Sequence, residues 1–443
     1  MMKRRDFMKV AAAGSSAALL PEFCYAKDNV RKGKLITDRK INIAAIGAGG
    51  KGASDIGAMA DENVVALCDV DYRRAEDTFN KFPNAKRYKD FRKMLVEMDD
   101  QIDAVTVSTP DHMHFPAAMM AITMGKHVFV QKPMAHTVEE ARLLTLAARK
   151  HEVQTVMGNQ GHCEEGIRLV REWIQSGAIG KVREAHAWTN RPIWPQGMDE
   201  PLPEAPIPDT LDWNRWLGVA PERPYGNGYL PFKWRGWWDF GCGALGDMAC
   251  HTMDAAFWGL DLLYPTSVIA EASGVSEQCA PKSSTVTYEF PARGKMPPVT
   301  LTWHDGGNMP PRPVHLEEGR DWGGATGTLI VGENASILAH GDAAGSPRLI
   351  PESAMGELAK NPPAKTIPRV AGGPHQEFVR AIKGQGPKPA SNFDYAGPFT
   401  ETVLMGNLAV RMAGQKIKWN GKKMKCTNSK AANALVRKQY RAF

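Results

Sequence analysis

The run "KINIAAIGAGGKG", Lys40 to Gly52, constrains the fold of this chain more than any other stretch. Its first half is an apolar, β-branched segment of the kind buried on both faces in a parallel sheet, and its second half carries glycines at the spacing of a tight turn that opens a helix. Gly47 allows the turn, Gly49 lets a backbone approach a pyrophosphate, and Gly52 lets the helix pack on the strand, with Gly50 in the same loop. Alone, such spacing is a weak signal. Here a second strand-like run, "NVVALCD", follows and ends on Asp69, a carboxylate placed to bind both hydroxyls of a ribose. Together they predict a dinucleotide-binding unit. Asp69 would repel a 2′-phosphate and so favours NAD, while Arg73 and Arg74 close by leave NADP open.

Helical and strand patterns then alternate to about residue 160. Helices are expected near Tyr72 to Phe82, near Phe91 to Met98 and at "HFPAAMMAITMG", and strands at "DAVTVSTP", "HVFVQKP" and "TVMGNQ". Thr137 and Glu140 form a capping box that fixes the start of the helix after "QKPMAH". This alternation implies a parallel, doubly wound α/β unit over residues 40–160. Beyond it the rhythm changes. A helix "EEGIRLVREWIQSG" leads to the strand "KVREAHAWTN", then to a Pro- and Trp-rich stretch from Arg191 to Trp238 and a helix from Gly243 to Leu260. The strand-like runs "TSVIAEA", "STVTYEF", "PVTLTWHD" and "TGTLIVG" follow without helices between them, which predicts a second α/β domain, residues 161–443, on a large, mostly antiparallel open sheet. Two helical patterns, the strand "KIKWN" and a basic terminal helix close the chain.

Chemistry concentrates in three places. "TPDHMH" and "QKP" each fall at the C-terminal end of a predicted parallel strand, where ligands of open α/β sheets gather, so Thr109, Pro110, His114, Gln131 and Lys132 are expected at the cofactor. In "GDMACHTMD" the residues Asp247, His251 and Asp254 lie at i, i+4 and i+7 on one helical face. A histidine flanked by carboxylates can take a proton near neutral pH; the same stripe could also be a structural hydrogen-bond network. One histidine with carboxylates and no HExxH pattern is a poor ligand set, and no metal is expected.

In this order, the glycine loop, Asp69, "TPDHMH", "QKP" and "GDMACHTMD" resemble the Gfo/Idh/MocA family of oxidoreductases, from about residue 40 to the C-terminus. The resemblance implies a Rossmann domain followed by an α/β domain whose open sheet forms a homo-oligomer interface. It matches Lys132 to the lysine of the family's "EKP", and Asp247 and His251 to its catalytic Asp and His. Gln131 stands where the family has Glu, and Ala249 where Gly is common. In such an enzyme His251 takes the proton of a substrate hydroxyl, Lys132 polarises its oxygen, and Asp247 orients the imidazole or binds a neighbouring hydroxyl. Asn159, Gln160, His162, Asn190, Arg191 and Asp254 are candidate hydroxyl binders. The tryptophans of the second domain, Trp188, Trp194, Trp213, Trp216, Trp234, Trp237 and Trp238, offer flat faces for a sugar ring or simply core.

The N-terminus bears on where this chemistry happens. Arg4-Arg5, Phe7 and Lys9, followed by a weakly apolar run from Val10 to Leu20, have the layout of a twin-arginine export signal over residues 1–26, with cleavage after Ala26 and a periplasmic or otherwise exported product. No later segment is long and apolar enough for a bilayer. Net charge is +7, of which the signal's four basic and two acidic residues account for +2; the remainder is scattered, without the basic stripe that nucleic acid requires. The six later cysteines show no CxxC and read as small buried residues. Export of a folded dinucleotide enzyme predicts a tightly held cofactor that is re-oxidised in place. A second carbonyl substrate could take the hydride. Alternatively, a glycoside could be oxidised transiently at C3, undergo elimination and water addition, and be reduced again. A third reading is a secreted sugar-binding protein with a structural nucleotide.

Overall fold

The computed structural model describes residues 30–443, so the export-signal expectation lies outside the described residues. Six strands, β1 (Asn42–Ile46), β2 (Asn63–Cys68), β3 (Lys86–Tyr88), β4 (Ala104–Val107), β5 (His127–Val130) and β6 (Thr155–Met157), form the first sheet. All its pairings are parallel, in the order β3-β2-β1-β4-β5-β6. The order reverses between β1 and β4, which opens a crevice above their C-terminal ends. The near-continuous apolar strands follow from burial on both faces. Ile43 and Ala45 pack with the helices Lys51–Gly57 and Tyr72–Lys81, whereas Ala44 and Ile46 pack with the opposite layer, which includes the helices His114–Thr123 and Val138–His151. The capping box forms as read: the Thr137 hydroxyl accepts from the Glu140 N–H at 3.3 Å and the Glu140 carboxylate from the Thr137 N–H at 3.0 Å.

The second sheet holds nine strands, β7 (Val182–Thr189), β8 (Ser267–Ser273), β9 (Ser283–Phe290), β10 (Val299–His304), β11 (Thr326–Gly332), β12 (Ser336–His340), β13 (Gly345–Ile350), β14 (Ile417–Asn420) and β15 (Lys425–Cys426). Their order is β13-β12-β11-β7-β10-β9-β8-β14-β15, antiparallel except where β7 lies parallel to β10. The hairpin β12–β13 and the helix Glu352–Lys360 were not evident from sequence. Pro347 interrupts β13, which is tolerable because β13 is an edge strand. The helix expected from Gly243 to Leu260 divides at Met253 into Gly243–Thr252 and Asp254–Gly259, and the terminal basic helix is reduced to Lys430–Ala434.

One connection ties the two units together. The helix Gly373–Ile382, late in the chain, returns to the first sheet and places Phe378, Val379 and Ile382 in the core with Ile41, Ile43, Ala45 and Phe129. The remaining core is continuous from the first sheet into the second. All six cysteines after residue 29 are free and buried, and no described helix is long and apolar enough to cross a membrane.

Candidate active site

A cleft of about 670 Å³ runs from the glycine loop across the ends of β1, β4 and β5 to the helix Gly243–Thr252. At its first end, Gly47 has φ +83° and Gly50 φ +56°, and a Cβ on Gly52 would meet the Gly47 oxygen at 1.9 Å. The loop therefore presents bare backbone, which suits a pyrophosphate. Asp69 lines this end. Its carboxylate accepts from the N–H groups of Ala48 at 2.8 Å, Gly49 at 3.0 Å and Asp71 at 2.9 Å. Burial raises its pKa and these donors lower it, with a net upward shift. Arg74 lies over Gly50, and both line the cleft. The loop and the acidic strand end fit a dinucleotide.

Thr109, Pro110, Gln131 and Lys132 also line the cleft. His114 lines it as well, its ring set between two carbonyls, with Nδ1 2.7 Å from that of Pro133 and Nε2 2.9 Å from that of Thr109, so the neutral ring donates to one of them. It sits between the two strand-end loops, at the edge of the cleft where the sequence placed it. Burial pushes its pKa down to about 4.

At the far end the helix Gly243–Thr252 lies against the loop that carries Lys132. Its small residues permit this: a Cβ on Gly246 would meet Cys242 at 2.1 Å and Pro133 at 3.8 Å. The Lys132 ammonium donates to the Asp247 carboxylate at 2.7 Å and to the Asp247 carbonyl at 2.8 Å. The same carboxylate oxygen accepts from Arg235 Nε at 3.0 Å. These two cations hold Asp247 well below the usual carboxylate range although burial opposes it. His251, one turn on, faces the cleft, and its buried Nδ1 has no hydrogen-bond partner. Burial, then the nearby Lys132 charge, pushes its pKa down to about 3, so the imidazole is neutral. Asp247 thus holds the lysine and not the imidazole.

Two charged groups at this end escaped sequence reasoning. Asp111 accepts from the Cys242 N–H at 3.0 Å, and burial pushes it up to about 7. Arg235 lies 4.6 Å from the Phe232 ring centre and 4.4 Å from that of Trp234. Phe232, Trp234 and Trp216 line the cleft with Gln160 and Asp342. Trp216 in turn stacks on Trp213 at 4.9 Å inside the aromatic core of the Pro/Trp-rich stretch.

Comparison with known proteins agrees with this geometry. A Gfo/Idh/MocA family model described as "Oxidoreductase family, NAD-binding Rossmann fold" matches residues 41–159, and its companion, "Oxidoreductase family, C-terminal alpha/beta domain", matches residues 167–295. The chain belongs to the Gfo/Idh/MocA oxidoreductase family. Similar curated proteins include an inositol 2-dehydrogenase/D-chiro-inositol 3-dehydrogenase of Lacticaseibacillus casei, 30% identical over 40% of this chain and 53% of that protein. Another is a D-glucoside 3-dehydrogenase of Escherichia coli, 30% identical over 33% and 42%. The chain spans about half the length of the curated relatives it matches. Among solved structures, the WlbA dehydrogenase of Bordetella pertussis in complex with NADH and UDP-GlcNAcA superposes with a TM-score of 0.59 at 18% identity, covering 86% of this chain and 99% of that one. The first sheet of this Gfo/Idh/MocA chain is thus an NAD-binding Rossmann unit.

Several expected substrate contacts lie elsewhere. Asp254 lies outside the cleft lining. Its carboxylate accepts from Asn159 at 3.1 Å, from the Tyr395 hydroxyl, and meets His162 Nδ1 at 3.0 Å. Asn159, His162 and Asp254 therefore form a buried structural network, which for Asp254 is the alternative its helical stripe had left open. Trp188 is fully buried, packs with Leu329 and Leu338, and donates to the Gly324 carbonyl at 3.0 Å. Asn190 and Arg191 pair with each other at 2.8 Å beyond the end of β7, outside the cleft lining. No group of three or more potential metal-binding side chains occurs among the described residues.

Proposed function

We propose that this protein is an NAD-dependent oxidoreductase that acts on a hydroxyl of a sugar, polyol or glycoside. One observation carries the reading: the Lys132–Asp247 pair and the neutral His251 share the cleft whose other end is the glycine loop. The bound dinucleotide supplies the hydride acceptor. Lys132, fixed by two contacts to Asp247, donates a hydrogen bond to the reacting oxygen, and His251 accepts the hydroxyl proton. Phe232, Trp234 and Trp216 offer apolar faces to the ring, and Asp111, Gln160 and Asp342 offer oxygen or amide partners to its other hydroxyls. Support for a carbohydrate substrate comes from the inositol and glucoside dehydrogenases among the relatives.

The N-terminal sequence extends the reading to an exported enzyme that keeps its dinucleotide and regenerates the oxidised form through a second carbonyl substrate. The C-terminal sheet is the expected contact of a homo-oligomer. The test is to denature protein isolated under native conditions, identify the released nucleotide by mass spectrometry, and screen sugars and glycosides for reduction of the held cofactor. His251→Ala should bind NADH normally and lose about 10²–10⁴-fold in kcat, the usual worth of a proton-transfer group. Retention of full turnover would refute the assignment.

A further inference from the structure

Gln131 is where this chain departs from the family's glutamate, and its surroundings explain the departure. Asp55, on the helix Lys51–Gly57, has no solvent exposure, yet four donors from four segments converge on it. One oxygen accepts from Gln131 Nε2 at 2.8 Å and from Ser108 Oγ at 2.7 Å. The other accepts from His375 Nε2 at 2.9 Å and from the Lys51 ammonium. His375 is itself fixed by stacking on Phe129 at 4.5 Å. A carboxylate only accepts, so the Gln131 amide must turn its NH₂ to Asp55 and its oxygen the other way. That oxygen has no hydrogen-bond partner among the described residues, and Gln131 lines the cleft beside Lys132. Gly158 makes room for this arrangement: a Cβ there would meet the amide nitrogen at 2.5 Å and its oxygen at 2.9 Å.

We propose that Asp55 and Gln131 are a single positioning unit for the dinucleotide. Asp55 fixes the Gln131 amide with its oxygen toward the bound cofactor, and carries, one hydrogen bond away, the negative charge that the family places on the residue before its lysine. Burial alone would raise the Asp55 pKa, but His375, Lys51 and Ser108 more than offset it and hold the group below the ordinary carboxylate range. It is therefore ionised at neutral pH. A glutamate at 131 would set a second carboxylate against it, and like charges in contact repel.

The inference rests on the NAD reading, and NADH titration by calorimetry at pH 8 separates the two. Gln131→Glu should weaken NADH binding by about tenfold or more, through like-charge contact. Asp55→Asn should do the same, because Asn offers one acceptor oxygen to four donors and releases the amide. The exchange Asp55→Asn with Gln131→Glu restores one carboxylate and one amide in contact, and should return affinity to within about threefold of wild type, a rescue that non-additive neighbours permit. Equal NADH binding by wild type and both single variants overturns the inference alone, as does an exchange that binds no better than Gln131→Glu. Should Gln131→Glu fail to fold, Asp55→Asn and the exchange decide the matter in the same way. Wild-type protein that neither carries a dinucleotide nor binds NADH overturns the parent reading with it.

Discussion

Replacing Asp111 with asparagine should stabilise this protein in alkaline solution, against the usual sign for a buried polar substitution. Burial raises the Asp111 carboxyl from 3.8 to about 7, Arg235 and Lys132 acting against the shift and Asp247 with it. Between about pH 4 and pH 7 the folded chain thus keeps a proton that the unfolded chain has lost. The stability due to the neutral carboxyl is complete below pH 4 and is lost as the pH rises through 7. The gap corresponds to about 4 kcal/mol in all, of which about 3 kcal/mol falls between pH 5 and pH 8. The amide introduced by Asp111→Asn would keep the shape, accept the Cys242 N–H and never ionise. Urea unfolding of both proteins at the two pH values gives the required quantity, the stability of the variant minus that of wild type. It should rise by about 3 kcal/mol from pH 5 to pH 8. A difference that stays constant within about 0.5 kcal/mol would show that Asp111 is already ionised at pH 5, and the account of its burial would be wrong.

Two other substitutions separate structure from function. Asp254→Asn should lower stability by about 3 kcal/mol, because it disturbs a buried network with Asn159, His162 and Tyr395, and should leave kcat/KM unchanged wherever the protein is folded; a raised KM at constant stability would return Asp254 to the substrate site. Gly52→Ala sets a methyl group 1.9 Å from the Gly47 oxygen and should weaken NADH binding by at least about tenfold by displacing the loop, read by calorimetry.

The parts of the site legible in the sequence obey local rules. Gly47, Gly49 and Gly52 are readable because a sharp turn and a close helix contact need glycine. Lys132 is readable because a strand end in a parallel sheet faces the crevice. Asp247 and His251 are readable because four residues span one helical turn. What was not legible depends on neighbours brought in from afar. Asp111 stands inside a quoted motif, but its protonation is set by burial and by Arg235, Asp247 and Lys132, brought in from elsewhere in the chain. Arg235 lies in an aromatic stretch with no periodicity to mark it, and it reaches the site because Phe232 and Trp234 pack around its guanidinium. Asp254 misled because a helical stripe fixes spacing along one face but not what its far end meets, here Asn159, His162 and Tyr395. Trp188, Asn190 and Arg191 are candidates by residue type alone, and type says neither which face of β7 is covered nor where the chain runs beyond its end.

The return of residues 373–382 to the first sheet has a consequence for synthesis. Phe378, Val379 and Ile382 cover apolar side chains of a unit whose last strand ends at Met157, more than two hundred residues earlier. While the ribosome works through that interval, Ile41, Ile43 and Phe129 lack their final cover, so a nascent chain halted before residue 373 carries a sticky, half-clad nucleotide fold. Completion of the first unit must wait for the second to be almost fully translated.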